Sequence, residues 1–534
     1  MLFSTANPNR PSPSPPPPMA RRLRLRLRRG RGGAASFSGW RRRIAAAAIV
    51  TAAITALIAF AIPSPLSIGF FFFPAADSSG RDRSPPRRRR RRLFYTRFGG
   101  APPPLSLRFS PIPPLEARHQ LLPGPRSGIR AHRRRIRALV IKQRSHVAYW
   151  RMSPDEALAY AKKEIENAPL VVDDPDLYAP LFRNVSAFKR SYELMERILK
   201  VYIYQDGQAP IFHTPDLKGI YASEGWFLKL MEEDRRFTVK DPSKAHLFYL
   251  PYSSRQLQLA IYVPGSHNLR PLSLFLRDYV NTIAAKYPFW NRTRGRDHFL
   301  VACHDWGPYT TTAHEELLKN TIKALCNADS SEGIFIRGRD VSLPETTIRT
   351  PKRPQRYVGK RRVSQRPFLA FFAGNVHGRV RPILLKYWDG KDDDMRIYGP
   401  LPNRVSRQMS YVEHMKSSKF CICPMGYEVN SPRIVEAIYS ECVPVIIADN
   451  FVLPFDEVLN WSAFSVVITE KDIPNLKNIL SGISLRRYLA MHTCVSMLQK
   501  HFLWHAKPLK YDLFHMVLHS IWFNRLKQIE VQEQ

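Results

Sequence analysis

Acidic residues are nearly absent from the first 150 positions: Asp77, Asp82 and Glu116 stand against 30 Lys and Arg, so this stretch carries +27 of the chain's formal +38. Cysteine is missing from it altogether, all six cysteines following residue 300. The first absence means that the basic charge describes the front rather than the whole molecule, which removes most of the case for a nucleic-acid partner. No RNA-binding or zinc-finger signature accompanies the basic blocks, no Cys/His spacing has the form of a structural zinc site, and no internal repeat is visible. The front also holds 20 of the 45 prolines and arginine blocks such as Arg87 to Arg92. Such a composition cannot bury enough apolar area to offset chain entropy, so it is predicted to be disordered.

One stretch breaks that pattern. Residues 44–62 are nineteen Ala, Ile, Val, Leu, Thr and Phe without a charge, close to the ~20 that a helix needs to cross a bilayer. Eleven arginines and no acid precede it. By the positive-inside rule, residues 1–43 are then a cytosolic tail, 44–62 a signal anchor and 63–150 a Pro- and Arg-rich stem on the far side, a single-pass type II arrangement. An Arg-rich, acid-poor transit peptide is the alternative. Sequons at Asn184, Asn291 and Asn460 suit a lumenal glycoprotein.

From Ser153 the texture is that of a folded protein, long enough for two domains at roughly 150 residues each. Ser153-Pro154-Asp155-Glu156 opens a helix with an N-cap, a proline in the first turn and acids at the positive end. Residues 200–204, 246–250 and 299–302 read as strands, and 223–231 and 272–286 as helices; the alternation predicts parallel sheets flanked by helices. The Pro-, Lys- and Arg-rich stretch 350–366 interrupts it, and a strand at 368–373 begins a second series. The expected domains are 151–365 and 366–534. Cys421 and Cys423 alternate along an apolar run and are expected to be buried thiols, while a Cys303–Cys326 bridge stays open.

The strand at 368–373 enters Gly374-Asn375-Val376-His377-Gly378-Arg379 and then a helix to Trp388. Such a turn exposes backbone N–H groups to an anion, with arginine at hand; an ordinary turn with solvated arginines fits the same text. Next come a strand at 419–423, a loop, and a helix at 431–440 with Ser431 as N-cap and Pro432 in its first turn. Arg433 and Glu436 share a face, where Arg can meet diphosphate oxygens and Glu two ribose hydroxyls; a surface i,i+3 salt bridge is the plain alternative. Glu428 stands eight positions earlier, at the carboxyl edge of the predicted sheet, where open α/β sheets bind ligands. In the first half Glu224, His304 and Asp305 are candidate bases, and Trp306 can stack on a sugar ring. His213 and His377 have no carboxylate cluster beside them and read as hydrogen-bonding residues, not metal ligands.

The text Asp241-Pro-Ser-Lys-Ala-His-Leu-Phe-Tyr-Leu-Pro251, Asp297-His-Phe-Leu-Val-Ala-Cys-His-Asp-Trp306, Arg339-Asp-Val-Ser-Leu-Pro344, Phe371-Phe-Ala-Gly-Asn-Val-His-Gly-Arg379 and above all residues 418–446, with Val452-Leu-Pro-Phe455 and Leu459-Asn-Trp461, resembles the plant branch of the exostosin-like glycosyltransferases, glycosyltransferase family 47. The resemblance spans about Val201 to Leu526. It implies a GT-B fold, two Rossmann-like α/β domains facing a cleft, the second holding a nucleotide sugar. It further implies an inverting enzyme with a UDP-sugar donor and a glycan acceptor, a plant cell-wall polysaccharide. No bound cofactor or metal is implied, and the place is the Golgi membrane with the catalytic part lumenal. Gly374 and Arg379 match the phosphate loop, with Asn375 where the family often has a second glycine. Arg433 and Glu436 match the diphosphate and ribose contacts, and Glu428 the carboxylate nearest the donor sugar. Other glycosyltransferases are expected partners and nucleic acid is not. A catalytically silent glycosyltransferase-like subunit of a polysaccharide synthase complex is the alternative.

Overall fold

The computed structural model describes residues 151–529 apart from 172, 173, 356 and 357. The tail, anchor and stem expected over residues 1–150 lie outside the described residues; among the described helices none is long and apolar enough to cross a membrane. The described chain opens with α1 (Pro154–Glu166), where Ser153 and Glu156 form the expected capping box. This helix packs on α2 (Val185–Ile198).

Two parallel sheets follow. β1 (Val201–Ile203), β2 (Leu247–Tyr249), β3 (His298–Ala302), β4 (Ile322–Leu325) and β5 (Val341–Ser342) lie in chain order. β6 (Phe368–Ala373), β7 (Met395–Tyr398), β8 (Ser418–Pro424), β9 (Val443–Ile447) and β10 (Val466–Val467) are arranged β10-β9-β8-β6-β7. Every residue of β3 and β9 is buried, as strands covered by helices on both faces require. Parallel neighbours need crossovers, supplied by α3 (Ala222–Glu233), α4 (Arg270–Lys286), α5 (Val380–Trp388) and α6 (Arg433–Tyr439) among others. In the second sheet the chain leaves β6 for β7 on one side and returns to β8 on the other. That reversal opens a crevice at the carboxyl ends of β6 and β8. The first sheet has no such reversal.

The last helix, α7 (Leu513–Lys527), crosses back. It packs on β4, β5, α1 and α2, and Asn524 Nδ2 donates to the Asp340 carbonyl at 3.0 Å. Thirteen of its fifteen residues are buried, so it has no solvent face to show and must sit between layers. A boundary at 365/366 therefore separates the sheets but not this helix from the first of them.

Two disulfides staple the sheets. Cys303–Cys326 joins the ends of β3 and β4, and Cys421 of β8 joins Cys442 just ahead of β9. Cys423 and Cys494 are buried thiols. The expectation of a free thiol thus holds at 423 and fails at 421, because β8 and β9 are parallel neighbours that bring Cys442 beside it. Changing Cys303 and Cys326 together to Ser opens a loop of 23 residues. The unfolding free energy is expected to fall by about 3 kcal/mol, read from urea titration; an unchanged midpoint contradicts a stabilising role.

Candidate functional site

A cavity of about 390 Å³ lies at the crevice, lined by Asp305, Glu345 and Arg349 from the first half and by Arg381, Tyr411, Glu428, Arg433 and Glu436 from the second. Two amides tie the halves together across it. Asn327 Nδ2 donates to Glu428 Oε2 at 2.8 Å, and Asn430 Nδ2 to Glu345 Oε2 at 2.8 Å.

Arg433 opens α6 and folds back over the end of β6, donating from Nε and Nη2 to the Ala373 carbonyl at 3.3 and 3.0 Å. A Cβ at Gly374 would run into its guanidinium, so the glycine there gives the arginine room. Arg381, in the first turn of α5, is buried and donates to the carbonyls of Met425 and Asn375, both at 3.1 Å. Burial, and then the charge of Arg433, push its guanidinium down to about 10. Neither arginine makes a direct ion pair among the described residues, so two neighbouring cations face a cavity whose acids stand beyond contact distance, although Glu345 still acts on both charges. Gly378, at φ 65°, packs against the Gly426 carbonyl where no side chain fits.

The acids stand opposite. Glu436 Oε2 accepts from Tyr411 Oη at 2.9 Å. Burial, with Asp305 nearby, pushes the Glu428 carboxyl up to about 7 and that of Glu345 up to about 8. Burial raises Asp305 as well, against the pull of a Tyr221 hydrogen bond. Carboxyls so crowded do not all ionise together near neutrality. Glu345 therefore binds a proton in the folded protein that the unfolded chain has released, so it lowers stability as pH rises from its ordinary value of 4.5 through 8. Glu345→Gln keeps an acceptor for Asn430 and removes that penalty. The variant is expected to melt higher than the parent at pH 8.5 and alike at pH 4; equal melting at both contradicts the assignment.

Three buried polar atoms here, Asn327 Oδ1, Asn430 Oδ1 and Ser431 Oγ, have no partner, which suits a polar ligand. Ser431 is not the N-cap expected of it. Pro432 already has helical dihedrals and the first turn closes by Ile434 N–H on the Ser431 carbonyl, so the hydroxyl is left unused and the helix starts at Arg433.

The structure brings Asp305, Glu428, Arg433 and Glu436 to one cavity and leaves other candidates outside it. Gly374 lies beneath Arg433. Arg379 turns outward and holds Glu470 with Nε and Nη2 at 2.9 and 2.7 Å, and Arg381 faces the cavity in its place. Glu224 lies outside the cavity: its buried carboxylate accepts from Ser253 Oγ, Ser254 Oγ, Arg255 N–H and Cys303 N–H, a set of bonds that fixes the loop after β3. Burial pushes its carboxyl up against these donors. His304 is buried beside the cavity, its Nδ1 accepting from the Trp306 N–H at 3.1 Å, and burial pushes it down to about 4, so it stays neutral. Trp306 packs edge-on to Tyr262 instead of lining the cavity. His213 pairs with Glu232, while His377 stacks on exposed Tyr427 at the rim. Among the described residues no group of three or more His, Cys, Asp or Glu is arranged to hold a metal. Asn184 caps α2, Asn291 is exposed, and Asn460 accepts from Ser462. Sequence reasoning missed Arg381, whose signal was its place in the same turn as Arg379, and Glu345, which sits in an irregular stretch with no local pattern.

Two parallel α/β sheets, with two arginines and several acids at the switch point of the second, place the cavity where open α/β sheets bind their ligands. Residues 195–483 match the model of the Exostosin GT47 domain. The "Probable glycosyltransferase At5g03795" of Arabidopsis thaliana is 48% identical over 364 residues, 68% of this chain and 69% of that one. The "Probable beta-1,4-xylosyltransferase IRX10L" of the same plant is 28% identical over 311 residues, 55% and 70% of the two chains. A crystal structure of Anabaena HepE with UDP and glucose aligns over 60% of this chain and 97% of that one at 9% identity, with a TM-score of 0.29, too slight a likeness to carry weight. This chain belongs to the exostosin family of GT47 glycosyltransferases.

Proposed function

We propose that the chain is an inverting glycosyltransferase of GT-B architecture that moves a sugar from a UDP-sugar to a glycan acceptor, without a bound metal. The observation that carries this reading is the pair Arg381 and Arg433, in direct ion pair with no acid among the described residues and facing a cavity that also holds Glu428 and Glu436. The arginines meet the diphosphate and its developing charge as UDP leaves, Glu436 takes the two ribose hydroxyls, and Glu428 stands at the donor sugar. Asp305, the candidate base that reaches the cavity, takes the proton of the acceptor hydroxyl as that oxygen attacks the anomeric carbon from the face opposite UDP. The raised carboxyl of Asp305 suits this task, because a base with more proton affinity than a free carboxylate pulls harder on a hydroxyl.

A relative named as a xylosyltransferase supports a plant cell-wall polysaccharide as the acceptor. Two disulfides suit an oxidising lumen, and with the apolar run at 44–62 they support a type II Golgi membrane protein. Transfer by the purified chain across a panel of UDP-sugars and oligosaccharide acceptors separates an enzyme from a silent subunit of a synthase complex. The site itself is tested by Glu436→Ala, which removes two hydrogen bonds to a charged group at about 1.5 kcal/mol each. UDP is expected to bind roughly 100-fold more weakly by calorimetry, and unchanged binding overturns the assignment.

A further inference from the structure

We propose that an arginine-lined groove at the amino edge of the first sheet is a second binding site, for the carboxylates of an acidic glycan. The groove has a volume of about 730 Å³ and is lined by Arg292, Arg294, Arg296 and Arg525, with Asn291 and Gln528. The segment bearing Asn291 to Arg296 runs straight into the start of β3, whereas Asp305 of the transfer cavity follows the end of β3. The two sites therefore lie at opposite ends of a five-residue strand, about 17 Å of chain at 3.3 Å per residue. This inference stands independently of the UDP-sugar reading.

The acids in reach leave the groove short of negative charge. Arg292 holds Asp297 at 2.7 Å, but Arg294 comes only to 4.0 Å from Glu316, and Arg525 to 3.9 Å from the exposed Asp155. No acidic partner meets Arg296 among the described residues. Arg525 is only 6% exposed, yet its Nε has nothing to donate to, and neither has the buried Nε2 of Gln528. A buried donor without an acceptor is costly, so these atoms are built to meet one. Guanidinium forks take carboxylates in bidentate pairs, and the unpartnered amide nitrogen of Gln528 suits a sugar hydroxyl, whereas that of Asn291 already donates to the Ala284 carbonyl at 2.9 Å. A membrane surface is a poorer fit: the half-buried Ile529 is the one large apolar residue among those lining the groove, too little apolar surface to hold a bilayer.

The test is hydrogen exchange on the full chain in detergent, after removal of any N-linked sugar, with hexagalacturonate as the acidic probe and xylohexaose as the neutral one. Localised exchange is needed because the basic front would bind any polyanion loosely. Hexagalacturonate is expected to protect residues 289–296 and 521–529, and xylohexaose to leave them unchanged. Arg294 and Arg296 are exposed and can be changed without disturbing the core, so the double variant Arg294→Gln, Arg296→Gln is expected to fold, to bind UDP as the parent does, and to need at least tenfold more hexagalacturonate for the same protection. Equal protection by both probes, protection confined to other segments, or an unaltered dose in the double variant overturns the proposal. Protection of the same segments by phosphatidylserine vesicles but not by hexagalacturonate also overturns it, in favour of a lipid surface.

Discussion

Asp305→Asn is expected to lower kcat by about 10²- to 10⁴-fold while UDP binds as before. Asn has the size and shape of Asp and can still accept from Tyr221, so the loop after β3 stays in place; the backbone carbonyl of residue 305 also keeps its contact with Asn327 Nδ2 at 3.4 Å. What the proposed mechanism loses is the group that takes the proton of the acceptor. The loss should therefore appear in kcat at saturating donor and acceptor, and a variant that changed KM alone would show that Asp305 only positions substrate. Burial raises the Asp305 carboxyl, so in the parent enzyme the deprotonated fraction, and the rate with it, falls as pH drops through that group.

Arg433→Ala is expected to cost 10²- to 10³-fold in kcat, the scale on which removal of one donor to a developing negative charge is felt. The guanidinium is anchored on the Ala373 carbonyl and cleared by Gly374, so the fold itself holds it in position. Arg433→Lys should recover only a small part, because an ammonium on a flexible stem cannot hold that carbonyl with a fork while meeting phosphate. Single-turnover measurements at saturating donor separate this from weaker binding. If the alanine variant turned over at the parental rate, Arg381 alone would be carrying the leaving group.

Much of the fold was legible because its signals are local. β6 falls on the predicted residues 368–373, Ser153 caps α1 with Glu156, and short apolar runs separated by amphipathic segments became two parallel sheets. Three features were hidden because only the folded chain decides them. Which arginine of the turn faces the cavity depends on helix phase: residues two apart point about 200° apart on a helix, so when Arg379 faces Glu470, Arg381 faces inward. The Cys421–Cys442 bridge needs the pairing of β8 with β9, and α7 reveals its place only by being apolar on every side. Among the acids, Glu224 and Asp305 look alike in text. Their difference is that one is enclosed by four donors and the other reaches an open cavity.

The crevice at the ends of β6 and β8 is the proposed seat of a nucleotide sugar. The most direct measurement is a crystal structure of the chain with UDP bound. It is predicted to show the diphosphate oxygens about 3 Å from the guanidinium nitrogens of Arg433 and Arg381 and the ribose hydroxyls on Glu436. UDP seated elsewhere, or an empty crevice at saturating UDP, would contradict it.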